Sequence, residues 1–297
     1  MKSKSLPWTR CFFNGGCPCG SGKKSYACCW RGNACWERTP FGATKLDGTP
    51  FKNDRCYLSP VGSCSTKMTK EHFISRNILE KIETSTLRFE NAGHFFGGQQ
   101  TLEIGIDSFS AKVLCDKHNP ALSDLDTAAG AAFSTIEALA KDCVEFAGLE
   151  RGRLSRFHIC SGVDIERWMI KVYCGLVAAG KIRALSGRIV ERDTLQPDLL
   201  NALVGTDSLR SPLGLYMHTF VGQQRPLGKS FSFGTIKLTD GSDEVGGLIL
   251  SLGMMNFVLV TSPRFNQTFK DPNWYRHQTL AWNSRKGSAR LAYLFTY

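Results

Sequence analysis

Glu71 and His72 stand side by side, and Cys115, His118, Asn119 and Asp126 follow within sixty residues. A carboxylate beside an imidazole can hold a divalent cation and deprotonate a water at neighbouring positions. Cys115 and His118 enclose two residues, the spacing of half a zinc knuckle, and Cys56 and Cys64 can supply the opposite pair. A second thiol set lies upstream in Cys17-Pro-Cys19-Gly-Ser-Gly-Lys-Lys-Ser-Tyr-Ala-Cys28-Cys29. Its two cysteine pairs, joined by a Gly-Ser-Gly turn, can fold around one tetrahedral zinc through deprotonated thiolates. Cys11 and Cys35 flank this set at poorer spacing.

The upstream run is similar to the SEC-C zinc motif, C-x-C-x8-C-(C/H), including its Gly-Ser-Gly-Lys-Lys core. The resemblance covers about fifteen residues and implies a recognition element for protein or nucleic acid, with Cys17, Cys19, Cys28 and Cys29 as zinc ligands. The later order, Cys, Cys, Glu-His, Cys-x2-His-Asn, Asp, resembles an HNH endonuclease of the ββα-metal class over roughly residues 56–135. Carried over, His72 is the general base and Glu71 and Asp126 hold one Mg²⁺ or Mn²⁺ against the scissile phosphate. Asn119 fixes the loop that aims His72, and Cys56, Cys64, Cys115 and His118 bind a structural zinc. Asp124 competes with Asp126 as the last metal ligand. The chain departs from the family in placing seven residues between Cys56 and Cys64, in His118 for the commoner cysteine, and in a long interval before Cys115 that contains His94.

These residues need elements to position them. Phe73, Ile74, Ile78, Leu79 and Ile82 repeat at helical spacing directly after Glu71-His72, which places the pair at a strand-to-helix junction. Extended stretches are expected at 101–106 and 111–115, ahead of a helix over 123–146 with Ser123 or Asp124 as its cap. A second amphipathic helix covers 164–179, with Trp168 and Met169 read as core. Further strands are expected at 213–221, 230–238, 247–252 and 256–261, separated by turns such as Thr239-Asp240-Gly241-Ser242.

The chain has 297 residues, 42% of them hydrophobic and 21% charged, which is ordinary globular composition. Its net charge is +11, and residues 1–70 carry twelve Lys or Arg against three acids, a local +9. Such a segment attracts polyanions, nucleic acid above all. Residues 1–10 are polar and basic with no apolar run behind them, so no secretory leader is expected, and no stretch reaches the about 20 apolar residues of a membrane span. Twelve cysteines in such a chain argue for metal binding over disulfides. The expectation is a cytoplasmic α+β protein in three parts: a SEC-C-type segment over 1–50, an HNH-like nuclease domain over 51–150, and a strand-rich α+β domain over 151–297. The resemblance implies a metal-dependent endonuclease acting on nucleic acid, double-stranded DNA by preference, in defence against phage or other foreign DNA. It carries two structural zinc ions, and a protein partner could meet the SEC-C motif. The alternative is a non-catalytic zinc adaptor that binds nucleic acid or protein.

Overall fold

The computed structural model describes residues 23–28, 30–32, 35–36, 42–81, 86–90, 101–148, 154–219, 231–238, 242–252, 255–265, 275–276, 279–283 and 287–294. Cys17, Cys19, Cys29 and His94 lie outside these residues, and so does most of the SEC-C-like run; Cys28 is half-buried. In chain order the elements are β1 (Trp30–Gly32), β2 (Cys35–Trp36), β3 (Met68–His72), α1 (Arg76–Lys81), β4 (Thr86–Glu90), β5 (Thr101–Gly105) and β6 (Ser110–Cys115). After them come α2 (His118–Ala121), α3 (Ser123–Gly148), β7 (Leu154–Ser161), α4 (Gly162–Ala178) and α5 (Pro197–Val204). The rest is extended: β8 (Gly214–Thr219), β9 (Phe231–Lys237), β10 (Val245–Leu252), β11 (Met255–Val260), β12 (Thr279–Asn283) and β13 (Gly287–Leu294). The architecture is α+β, and no described helix is long and apolar enough to cross a membrane.

Two compact units interleave along the sequence. One draws on residues 1–40, 131–163 and 276–297, the other on 41–130 and 164–275. In the first unit β13 pairs antiparallel with β12 and parallel with β7. His158 on β7 bonds the Asp142 carboxylate at 2.7 Å.

The second unit holds an antiparallel sheet in the order β8-β11-β10-β9. Every residue of β11 is buried, as its mostly apolar sequence Met255–Val260 demands; the one polar residue, Asn256, accepts the Ser251 hydroxyl at 2.6 Å. The β10–β11 crossing is close: a Cβ on Gly247 would lie 1.9 Å from the Leu259 carbonyl oxygen, and φ there is +152°. α5 opens on Pro197 and ends on Gly205 in the left-handed region, the usual start and stop chemistry.

β3 and β6 pair antiparallel, from Met68 opposite Cys115 to His72 opposite Ser110, with a register shift between Thr69 and Glu71 that puts the extra residue on β6. Phe73 packs edge-on against Phe109 with ring centroids 5.0 Å apart, closing the open end of this ribbon. The inserted interval contains α1 and the antiparallel pair β4–β5. α4 is buried along its whole length from Gly162 to Val177 yet carries Asp164, Glu166, Arg167 and Lys171. Buried charges persist only when paired and hydrogen-bonded. Glu166 accepts the Leu215 amide at 2.8 Å, and Arg167 donates to the Leu203 and Gly42 carbonyls and to Thr44. Lys171 turns the other way, toward β3 and α3.

Candidate metal centre and active site

Cys56, Cys64, Cys115 and His118 converge, all four buried, with their ligand atoms within 4.8 Å of one another. His118 Nδ1 lies 3.3, 3.7 and 3.5 Å from the sulfurs of Cys56, Cys64 and Cys115. Zn–S near 2.3 Å and Zn–N near 2.05 Å at tetrahedral angles give an N···S edge of about 3.5 Å. The donor set and its dimensions therefore fit a metal such as zinc. Local folding explains the wide Cys56–Cys64 spacing. A 3₁₀ turn at Ser59–Val61, then Gly62 and Ser63 with φ of +84° and +59°, wind the intervening chain back so that Cys64 faces Cys56. Cys115 ends β6, and His118 begins α2. Burial pushes the Cys56 thiol up to about 12 and raises Cys64 as well. At Cys115 burial acts the same way, but backbone hydrogen bonds from Ser65 and His118 outweigh it and hold the thiol below its usual value. Burial also lowers His118, which favours the neutral imidazole that ligates metal.

The cluster anchors the region around Glu71 and His72. Asn119, next to the ligand His118, donates from Nδ2 to the Lys70 carbonyl at 2.9 Å and to Thr69 Oγ1 at 3.0 Å. One amide therefore ties the helix that carries His118 to the strand just before Glu71. Successive strand residues face opposite sides. Glu71 is buried and His72 is half-buried. His72 Nε2 is enclosed and makes no hydrogen bond among the described residues; the nearest carboxylate, exposed Asp107, is 3.9 Å away.

Glu71 and Asp126 come together as the sequence suggested, but around an ammonium. Lys171 Nζ contacts Glu71 Oε1 and lies 2.6 Å from Asp126 Oδ2, with only 3% of its side chain exposed. Asp126 Oδ1 accepts the Ser75 hydroxyl at 2.5 Å, Ser75 Oγ accepts the Trp168 indole N–H at 2.7 Å, and the Asp126 carbonyl accepts Asn77 Nδ2 at 3.0 Å. Asp124, the rival, is exposed on α3. Burial pushes the Glu71 carboxyl up to about 7, with the Lys171 charge opposing it. Burial likewise pulls on Lys171, but Glu71 and Asp126 outweigh it and hold the ammonium above the usual lysine value. Tyr57 adjoins the group; its buried hydroxyl has no hydrogen-bond partner among the described residues, and burial, then the Glu71 charge, raise it well above the tyrosine norm.

A divalent cation such as Mg²⁺ needs several carboxylate or water oxygens in near-octahedral array. The inward oxygens of Glu71 and Asp126 are already engaged by Lys171, so the pair as built does not fit such an ion. Sequence reasoning overlooked Lys171, Ser75, Asn77 and the indole N–H of Trp168. One signal was available: Lys171 is the lone charge in Trp168-Met169-Ile170-Lys171-Val172-Tyr173-Cys174, and a lysine in a buried helical turn requires an acidic partner. No protein-family model, curated protein or solved structure matches this chain.

Proposed function

We propose that the region from Cys56 to Gly130 is the hydrolytic centre of an HNH-type nuclease that cleaves phosphodiester bonds, with double-stranded DNA as the substrate. The observation that carries this reading is His72 Nε2, which makes no hydrogen bond among the described residues and is held on a strand that Asn119 and the Cys₃His cluster fix from one side. Once Nε2 is opened to a bound water, the imidazole can accept a proton from it as the water oxygen attacks phosphorus and the sugar oxygen leaves. Zinc at Cys56, Cys64, Cys115 and His118 has a structural role, since its four protein ligands leave no open position. The thiols of Cys17, Cys19, Cys28 and Cys29 form the second zinc site of this reading and add a recognition element to the basic first quarter of the chain. The Mg²⁺ or Mn²⁺ implied by the resemblance is not assigned to Glu71 and Asp126.

The test is nicking of supercoiled plasmid by the purified full chain, with Mg²⁺, with Mn²⁺ and without either. His72→Ala should abolish cleavage and leave zinc content and melting temperature unchanged; cleavage that survives the substitution rejects His72 as the base. A second reading, a non-catalytic zinc adaptor, draws on one observation: Lys171 fills the acidic pair where the family would put its metal. Tight DNA binding without cleavage under all three conditions selects it.

A further inference from the structure

We infer that Lys171 is the resident cation of the Glu71–Asp126 pair, and that this pair takes no divalent metal while the lysine is in place. Two carboxylates that meet in a protein interior need positive charge between them, because like charges in a weakly screening medium repel strongly. That charge is normally available from solution as a metal ion. Here it is delivered covalently from α4, one helical turn beyond Trp168, which itself reaches the same group through Ser75. Ser75 and Lys171 both donate hydrogen bonds to Asp126, so the ammonium is one part of a connected group.

The ammonium is held in a buried setting: its side chain is 3% exposed, and every residue of α4 from Gly162 to Val177 is buried. An arriving Mg²⁺ would have to shed water, expel a paired ammonium and leave that charge unpaired in the interior. Lysine removal reverses the balance: buried Glu71 and partly exposed Asp126 then face a space of side-chain size, which is a chelating pair in search of a cation. This holds whether or not the domain cleaves nucleic acid.

The experiment is a Mn²⁺ titration of the full-length protein followed by electron paramagnetic resonance, with melting curves alongside. Wild type and Glu71→Gln should give the same Mn²⁺ isotherm. Lys171→Ala should bind Mn²⁺ at least about tenfold tighter than wild type and melt higher in its presence. Lys171→Ala combined with Glu71→Gln should lose both effects. Wild-type Mn²⁺ binding that disappears in Glu71→Gln or Asp126→Asn overturns the inference, as does Lys171→Ala that folds and binds no better than wild type. Binding that is unchanged by Glu71→Gln lies elsewhere and leaves the pair metal-free, as inferred. The wild-type comparison decides the matter even if Lys171→Ala fails to fold, and its readout is binding, so absent cleavage does not disturb it.

Discussion

Stripping the metal from the Cys₃His cluster should unfold the unit that contains it, and the size of the effect can be worked out from the burial of the ligands. All four ligand side chains are within 2% of complete burial, at the meeting of the 53–64 loop, β6 and α2. Without a metal they are neutral thiols and an imidazole with little to bond except each other. Burial lifts the Cys56 thiol from 9.0 to about 12, so deprotonating it in the empty cluster costs about 4 kcal/mol more than for an ordinary thiol. A bound metal reverses that cost and adds its own binding energy. Structural zinc sites contribute apparent free energies of about 10–16 kcal/mol, against a total stability of about 5–15 kcal/mol for a typical domain. The site therefore contributes on the scale of the whole unit's stability. Metal analysis of the purified chain should find zinc, and Cys115→Ser should lower the content by one ion per chain. Dialysis against a strong chelator should lower the melting temperature sharply and release protons on zinc readdition. A metal-free protein that melts at the holoprotein's temperature, or a zinc count indifferent to Cys115→Ser, would refute the reasoning.

Further perturbations probe the supports of the site and the sheet. Trp168→Phe deletes the indole donor to Ser75 and should cost about 1–3 kcal/mol in urea titration; a loss below about 0.5 kcal/mol would show the Trp168–Ser75–Asp126 chain to be energetically idle. Gly247→Ala drives a methyl group into the Leu259 carbonyl and should destabilise by about 3 kcal/mol or more, whereas Gly234→Ala in β9, with open space around it, should stay within about 1 kcal/mol. Asp243 is held below the ordinary aspartate value by the Ser186 hydroxyl and amide, with Arg188 adding to it. Its folded value is depressed, so its contribution is present above pH 3.8 and is lost as pH falls through the lower folded value. Asp243→Asn should flatten the acid limb of the stability profile, and an unchanged limb would rule this contact out as a source of acid sensitivity.

Much of the frame was legible because its signals are periodic. The helices at 123–146 and 164–179 and the strands near 247–252 and 256–261 all appear within a few residues of their expected bounds. So do β6 and the strand-to-helix junction at His72. β7, β12, β13 and α5 were not anticipated. β7 (Leu-Ser-Arg-Phe-His-Ile-Cys-Ser) alternates only loosely, and its pairing with β13 joins segments more than a hundred residues apart, which no local window records. The candidate metal cluster was legible from ligand type and from the two-residue spacing of Cys115 and His118, even with seven residues between Cys56 and Cys64. Lys171 was hidden for the opposite reason. A lysine has many bland roles, and its meaning comes only from where Glu71 and Asp126 sit, a relation of tertiary packing that the sequence does not carry in any one stretch.

The order of these residues along the chain sets a schedule for synthesis. Domains form as the chain emerges at about 5–20 residues per second. All four metal ligands lie between Cys56 and His118, and both acids precede residue 127, while the ammonium arrives only at position 171. A nascent chain therefore carries all four candidate metal ligands and both acids for the about 45 residues it takes to reach Lys171. The last charge to be made is the one that closes the site, and any chain cut short before it leaves the ribosome with the acids still open.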